Sequence, residues 1–485
     1  MPWSPLCVAR SLSLRAVHMA TKADVDAGTV GPRLARSRRA VFQRLRSHAA
    51  RRMGWGVADQ AVSSLTNFAV SIYVVRTLGA VQFGAFSLAY VTYGFTLNAS
   101  RGLGTDPLMV RFSGRDLPTW RRAVADCTGT AVVAGLAIGA CVIVAAAALH
   151  GPAGAAFLAL GLTLPGLLLQ DSWRFSFFAL GRGSQAFLND MVWAVTLLPA
   201  LVLLRRTGHA DVFWFVFAWG ATASVGAVVG PLQARVVPKP ASAWRWVSRH
   251  RDLGPRYLAE GLSNSLSGQL TTYGIGLILG LAVVGYVQAS KTLMGPVGIL
   301  FLGMSLITLP EAARVLRRSP RHLPLVCMLA FGGLAAVVLV WGAVLLVAVP
   351  NGLGALLLGP VWRPTYPLLV PQIFYYVGLA FAFGMGTGLH ALGAARRSLR
   401  AVVISAVICL VGSLAGAVMD GAFGAVTGLA VAQWIVAPVF WWEFRAAMHE
   451  SGRVPDPGWF RSIRPNSRYL RSLTRLRSMI ATKDH

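Results

Sequence analysis

Charge is what this chain of 485 residues is short of: Asp, Glu, Lys and Arg make up 13% of it, and the acids number 17 against 45 Lys and Arg. An ordinary soluble domain carries about 25% charged residues. With 55% hydrophobic residues, too little polar side chain remains to coat a water-facing surface, which excludes a soluble globular protein. Cysteine is equally sparse. Cys7, Cys127, Cys141, Cys327 and Cys409 show no paired spacing, so they offer neither a disulfide framework nor a metal site. Also missing are a glycine-rich phosphate loop with its lysine, a metal-ligand cluster and a Ser/His/Asp arrangement in recognisable context. These absences leave no catalytic residue, metal or cofactor to expect, and the chain reads as a non-enzyme. Its loops are short, the longest near 350–366, whereas membrane glycosyltransferases and polymerases hold acceptor and catalytic residues in larger ones.

What the chain has in quantity is apolar runs of about 20 residues, the length that crosses a bilayer. Twelve can be placed: six from 55 to 236, a polar linker over 237–255, and six more from 256 to 446. The 51 glycines suit helices packed closely in lipid, where small residues let backbones approach. The fold expected is an all-α polytopic membrane protein of twelve transmembrane helices in two six-helix lobes. Flanking them are two basic tails, 1–54 and 447–485. The N-terminal tail holds no apolar run long enough for a signal peptide and reads as cytoplasmic. Met1 and Met19 both stay open as its start.

Charge placement tests this count, because cytoplasmic loops are rich in Lys and Arg. With the N-terminus inside, only Arg76, Arg205, Arg206 and Arg363 fall in outer loops and Lys291 inside a span, leaving the other 40 of the 45 basic residues on the inner side. Shifting by one span would scatter them over both faces. Both termini are therefore expected to be cytoplasmic. The net charge of +28 follows from this bias and implies no nucleic-acid partner. From Ser467, a helix would place Arg468, Arg471 and Arg475 opposite Tyr469, Leu470, Leu473, Leu476 and Ile480, with Arg477 interrupting the apolar side; the segment is either an interfacial helix on anionic lipid or a disordered basic tail.

The two halves echo each other. Sliding the chain by 201 residues lays Trp55–Gly94 on Arg256–Gly295 and matches Ala58/Ala259, Ser64/Ser265, Leu65/Leu266, Leu78/Leu279, Gly79/Gly280, Gly84/Gly285 and Gly94/Gly295, with Asp59 against Glu260. Ala179-Leu180-Gly181 recurs as Ala391-Leu392-Gly393 at an offset of 212. The second half has thus gained residues, placed around 351–366. Two-fold repeats of this kind build secondary transporters, with the substrate site between the halves.

Ionisable residues within apolar spans are costly and usually face a cavity or one another. Lys291, deep in span 8, is either a cavity cation or the partner of a nearby acid. Arg101 can line the cavity or snorkel to headgroups. Asp171 and Arg174, three apart on one helical face, can neutralise each other, or Arg174 can serve the cavity. Asp59 and Glu260 either line the cavity as ion-coupling sites or cap the inner helix starts.

Short motifs carry a resemblance across roughly 55–446: Arg76-Thr77-Leu78-Gly79 running on to Phe83-Gly84-Ala85-Phe86-Ser87-Leu88, Ala179-Leu180-Gly181-Arg182, Leu358-Gly359-Pro360, Ala391-Leu392-Gly393 with Arg396-Arg397, and Gly421-Ala422-Phe423-Gly424-Ala425. The chain resembles the polysaccharide-transporter branch of the MOP (multidrug/oligosaccharidyl-lipid/polysaccharide) exporter superfamily, the O-antigen-type flippases. The resemblance implies a V-shaped pair of six-helix bundles that rock between inward- and outward-open states in a bacterial cytoplasmic membrane. Its substrate would be a polyprenyl pyrophosphate oligosaccharide for cell-surface polysaccharide, with a glycan polymerase or glycosyltransferases as partners. Lys291, Arg101 and Arg174 would then bind the diphosphate, and Asp59 or Glu260 would couple an ion gradient. Two rivals are a MATE-like cation-coupled exporter of small molecules, which calls for a more acidic cavity, and a non-transporting scaffold for glycan assembly.

Overall fold

In the hydrocarbon of a bilayer every backbone N–H and C=O must find its partner within the same segment, so a chain of apolar runs becomes helices. The computed structural model describes residues 32–348 and 352–451, and among these it contains helices and short connections with no strand. The expected basic helix from Ser467 and the lipid contacts of the far tails lie outside the described residues.

Helix α1 (Pro32–Ser100) bends at a kink at Gly79 and runs on into a π-helical turn, Arg101–Thr105. It begins well before Trp55, so helical backbone reaches into the segment expected to be a tail. There follow α2 (Asp106–Phe112), α3 (Leu117–Ala148), α4 (Gly151–Leu180), α5 (Gly183–Arg206) and α6 (Val212–Ala234). The linker carries α7 (Ala243–Arg249). The second half continues with α8 (Gly254–Leu279), α9 (Leu281–Leu293), α10 (Gly295–Arg318) and α11 (Leu323–Ala348), then the short α12 (Gly354–Leu358) and α13 (Trp362–Thr365), and finally α14 (Leu369–Leu392) and α15 (Ala395–Glu450).

Nine helical stretches among the described residues are long and apolar enough to cross a membrane, where twelve were expected. The difference has identifiable sources. Two of the nine, Ala58–Phe112 and Ala395–Glu450, are bent at glycine, the first at Gly79 and the second at Asp420-Gly421. The 26-residue α8 is not counted because its polar residues, such as Arg256, Asn264 and Gln269, dilute its hydropathy, and α9 ends after 13 residues at the Met294-Gly295-Pro296 step. Proline at 296 lacks the N–H that would continue that helix.

The internal echo is visible in backbone angles. Gly79 (φ 73, ψ −178) and Gly280 (φ 84, ψ 175) share a conformation that side chains with a Cβ rarely adopt. Gly181 (φ 76, ψ 17) and Gly393 (φ 72, ψ 17) end α4 and α14 with the same left-handed cap. The segment holding α12 and α13 has no counterpart between α3 and α4, which only Leu149 and His150 separate. It packs against α1 beside Arg76, close to Gly359.

The halves meet through residues that the repeat relates. A Cβ on Gly84 would collide with the carbonyl oxygen of Leu281, and a Cβ on Gly285 with that of Ala80. Farther along the same seam the hydroxyls of Thr92 and Tyr273 are hydrogen-bonded, and Gly102 lies against the backbone of Leu258. The part of α1 after Gly79 therefore runs beside α8 and the start of α9, and the seam is tightest at the end marked by Gly79 and Gly280. Replacing Gly84 with leucine is expected to force this seam apart, at a cost of ~1–3 kcal/mol for overpacking. In a cysteine-free background, a cysteine at Ala80 should then react with an impermeant thiol reagent about tenfold faster than in the Gly84 parent. Unchanged labelling would show that the seam does not depend on glycine.

Candidate functional site

The first half holds a buried cluster of charge built by five spans. Asp59, Asp171, Asp190, Gln170 and Asn189 are all buried. Helix α4 supplies Gln170, Asp171 and Arg174 from successive turns, α5 supplies Asn189 and Asp190, α1 supplies Asp59 and Gln60, Arg101 opens the π-helical turn, and α6 supplies Gln233. Arg101 makes a two-pronged pair with Asp171, Nε to Oδ2 at 2.9 Å and Nη2 to Oδ1 at 2.6 Å, and lies 4.7 Å from the ring centre of Phe175. Arg174 donates through Nε to Asp59 Oδ2 at 2.7 Å and through Nη2 to the same oxygen. Its Nε also lies 3.3 Å from Asp190 Oδ2. Gln170 donates to Asp190 Oδ1 at 2.7 Å, while Asn189 donates to Gly226 O at 2.9 Å and to Gln233 Oε1 at 3.0 Å.

Asp171 and Arg174 therefore do not neutralise each other, as their spacing suggests. Residues three apart on a helix can pair, as Glu311 and Arg314 do, but Asp171 and Arg174 each pair with a residue from another segment instead. Arg101 and Arg174, expected as cavity cations, are both held by carboxylates. Asp59 does not act as a helix cap, since α1 begins far upstream. The cluster contains three carboxylates and two guanidiniums, an excess of one negative charge. The excess has an address: Asp59 Oδ1 is buried and accepts no hydrogen bond. An unsatisfied charged oxygen in a dry interior is expensive, and a proton or cation is what would relieve it.

The second half is unlike the first. Lys291 sits in the last turn of α9, half-buried, with no hydrogen bond or ion pair among the described residues. No described acid neutralises it. Other polar groups, on α9 and on α14 opposite Ser290, lack full partnership. Gln288 Oε1, one turn earlier, and Gln372 Nε2, on α14, are buried without partners. Ser290 Oγ lies 3.5 Å from Gln372 Oε1. Glu260 belongs to α8 and its side chain is outside the described residues, so its pairing with Asp59 in the repeat gains no geometry.

Sequence reasoning missed Asp190, Asn189 and Gln372. The first two stand together within an apolar 24-residue helix, and the rule that singled out Lys291 applies to them equally. Gln372 left no such signal, because an uncharged amide in a span is more often helix-packing glue. Among the described residues no group of three His, Cys, Asp or Glu is arranged to hold a metal ion.

Solved structures with this architecture are transporters. An inward-facing multidrug resistance MATE family transporter of the MOP superfamily matches with a TM-score of 0.62 and 14% identity, over 81% of this chain and 96% of that one. The lipid II flippase MurJ, in an inward closed conformation, matches with a TM-score of 0.60 and 10% identity, over 84% and 95%. The chain has the fold of the MOP-superfamily transporters. An outward-facing MATE transporter matches less well, with a TM-score of 0.53 at 17% identity over 82% and 94%. No protein-family model matches the sequence, and no curated protein does. The fold makes this a multi-pass membrane protein built like these transporters.

The charge cluster sets an order of stabilities. Arg174→Gln, which strands Asp59 and Asp190 without their cation, is expected to cost about 3–5 kcal/mol. Asp190→Asn, which removes the surplus charge and keeps an acceptor for Gln170, should cost less than ~1 kcal/mol. Melting curves of the purified protein in detergent check this. Equal melting of the two variants would refute the cluster's charge balance.

Proposed function

We propose that the protein is a flippase that carries a lipid-linked oligosaccharide, a polyprenyl pyrophosphate sugar, across the bacterial cytoplasmic membrane by alternating access. The observation that carries this reading is Lys291, a cation deep in a span with no described acid beside it. A diphosphate linkage is the anion such a site would hold, by charge-assisted hydrogen bonds. Gln288 and Gln372, with amide atoms unsatisfied in the interior, would meet the sugar or the linkage. The lipid tail stays in the bilayer, and the protein removes the barrier of dragging a polar head through hydrocarbon.

Arg101 and Arg174 join this site by exchange. Each holds a carboxylate that a diphosphate could replace, since both present the guanidinium fork suited to carboxylate and phosphate alike. A proton on Asp59 Oδ1, the oxygen left unbonded, neutralises that carboxylate and loosens Arg174 for the substrate. Departure of the diphosphate lets Arg174 return and expel the proton. Proton movement and substrate movement are thereby linked through one arginine, and an equal affinity of substrate for both states would shift nothing. The tight seam at Gly84 and Gly285 supports a state with its outer end shut, and the halves also touch toward the inner end, where Gly102 lies against Leu258.

A second reading rests on the same excess carboxylate. A MATE-like exporter exchanging cationic molecules for protons would use the Asp59 cluster as its coupling site and fits the fold comparably.

One experiment separates these readings. Vesicles carrying the protein and a fluorescent polyprenyl pyrophosphate oligosaccharide are probed with a lectin from one side. The protein should speed exposure of the glycan, and Lys291→Ala should slow that rate at least about tenfold, the effect of losing ~1.4 kcal/mol of binding. Asp59→Asn should abolish the dependence of rate on an imposed pH gradient. Equal exposure with and without protein, alongside proton-driven efflux of a cationic dye, would replace the flippase with the exporter.

A further inference from the structure

Two adjoining hollows among the described residues face the bilayer on the second half. One, of about 790 Å³, runs between the two limbs of α15, from Val407 and Val411 to Met419 on one limb and from Phe423 to Ile435 on the other. The second, of about 550 Å³, shares Phe423, Thr427, Val431 and Ile435 and extends to Phe374 and Trp434. The limbs touch through glycine, Gly416 against Gly424 and Gly412 against Gly428, so the floor is low and the branched and aromatic side chains stand as walls. From Val407 to Met419 a helix rises ~18 Å, a little more than the ~15 Å hydrocarbon depth of a single leaflet.

Two polar groups interrupt this lining. Asp420 closes the end of the groove at the turn between the limbs. It is exposed, and among the described residues it has no hydrogen bond or ion pair. The turn does not require its carboxylate, because the left-handed backbone there belongs to Gly421 (φ 53). Thr427, two turns deeper and ~10 Å below Asp420 along the helix, lines both hollows. Its hydroxyl is buried without a partner and lacks even the usual bond to the carbonyl four residues back.

We infer that this groove is a binding site for one phospholipid with a primary-amine headgroup, of the phosphatidylethanolamine class, in the leaflet beside the Asp420 turn. The ammonium meets Asp420, an ester carbonyl about 10 Å deeper accepts from the Thr427 hydroxyl, and one acyl chain fills the apolar trough. Charge selects the head. No Lys or Arg lines either hollow, so an anionic headgroup meets only the aspartate. A quaternary choline offers charge but no N–H to donate. Length selects the tail: a trough one leaflet deep suits an acyl chain and is too short for a polyprenyl chain. The site lies on the lipid-facing surface and its assignment does not depend on what the protein transports.

The test offers purified full-length protein an equimolar mixture of palmitoyl-oleoyl phosphatidylethanolamine, phosphatidylcholine and phosphatidylglycerol with a polyprenyl phosphate, and reads retained lipid by native mass spectrometry. Phosphatidylethanolamine should remain bound at least about threefold over each competitor, the size expected of an ion pair open to water on one side. Asp420→Asn should level phosphatidylethanolamine with phosphatidylcholine while keeping the amount of lipid bound. Ala415→Trp, which fills the exposed trough, should reduce retention of every phospholipid. Equal retention of the headgroups by the parent protein, a preference for phosphatidylglycerol, or capture of the polyprenyl phosphate instead would each overturn the assignment, as would a phosphatidylethanolamine preference that survives both substitutions. The parent's headgroup ranking decides even if a variant unfolds.

Discussion

A carboxylate inside a membrane protein needs a cation or a proton, and much of the first half is arranged around that need. Asp59, Asp171 and Asp190 come from three helices and share two arginines. Pairing guanidinium to carboxylate through hydrogen bonds recovers part of what dehydration costs, and removing one partner leaves an uncompensated charge that no solvent can reach. The arrangement also falls one cation short, and it leaves a single oxygen, Asp59 Oδ1, unsatisfied. A cluster that is almost but not fully neutral is sensitive to one added charge. That is the property a coupling site requires, and a fully balanced salt bridge lacks it.

The two halves divide the electrostatics between them. The first ends with one negative charge in excess, and the second holds Lys291 without an acid among the described residues, although both are built from the same repeat. Their backbones agree closely where they are compared at Gly79 and Gly280 or at Gly181 and Gly393. Symmetry therefore governs the frame, and side-chain chemistry breaks it. The frame brings Gly84 and Gly285 onto the carbonyls of the opposite half, where bare backbone lets two spans approach until carbonyl and Cα touch. A contact made of backbone has no side chains to interlock, which suits a seam that must open and close. The inserted α12 and α13 add an asymmetric cover beside it, reaching Arg76 through Gly359.

Much of the frame was legible before any coordinates. The repeat came from identities such as Leu78-Gly79 with Leu279-Gly280, and glycine at a forced positive φ is the kind of residue that sequence comparison exposes. The insertion near 351–366 was legible as a change of offset. The count of spans was less so, because a short turn such as Asp420-Gly421 leaves hydrogen-bonding patterns almost unbroken and α8 with α9 carries enough polar residues to dilute its hydropathy. Lys291 stood out because a lone lysine in an apolar run has few bland explanations. Asp190 carried the same signal and went unread.

By itself the sequence determined what depends on solvent and on local backbone: a membrane protein, helical, repeated, with glycines at matched positions and a lysine deep in an apolar run. Those properties follow from transfer free energies and from φ angles, which are local. Only the tertiary structure decided which charges cancel. Asp171 turned from its helical neighbour Arg174 to Arg101, and Arg174 to Asp59 and Asp190, over separations of 70, 115 and 16 residues along the chain. Charges pair across space according to which helices are packed together, so no spacing within one helix could reveal that two of the three expected free cations are held and only Lys291 is left open.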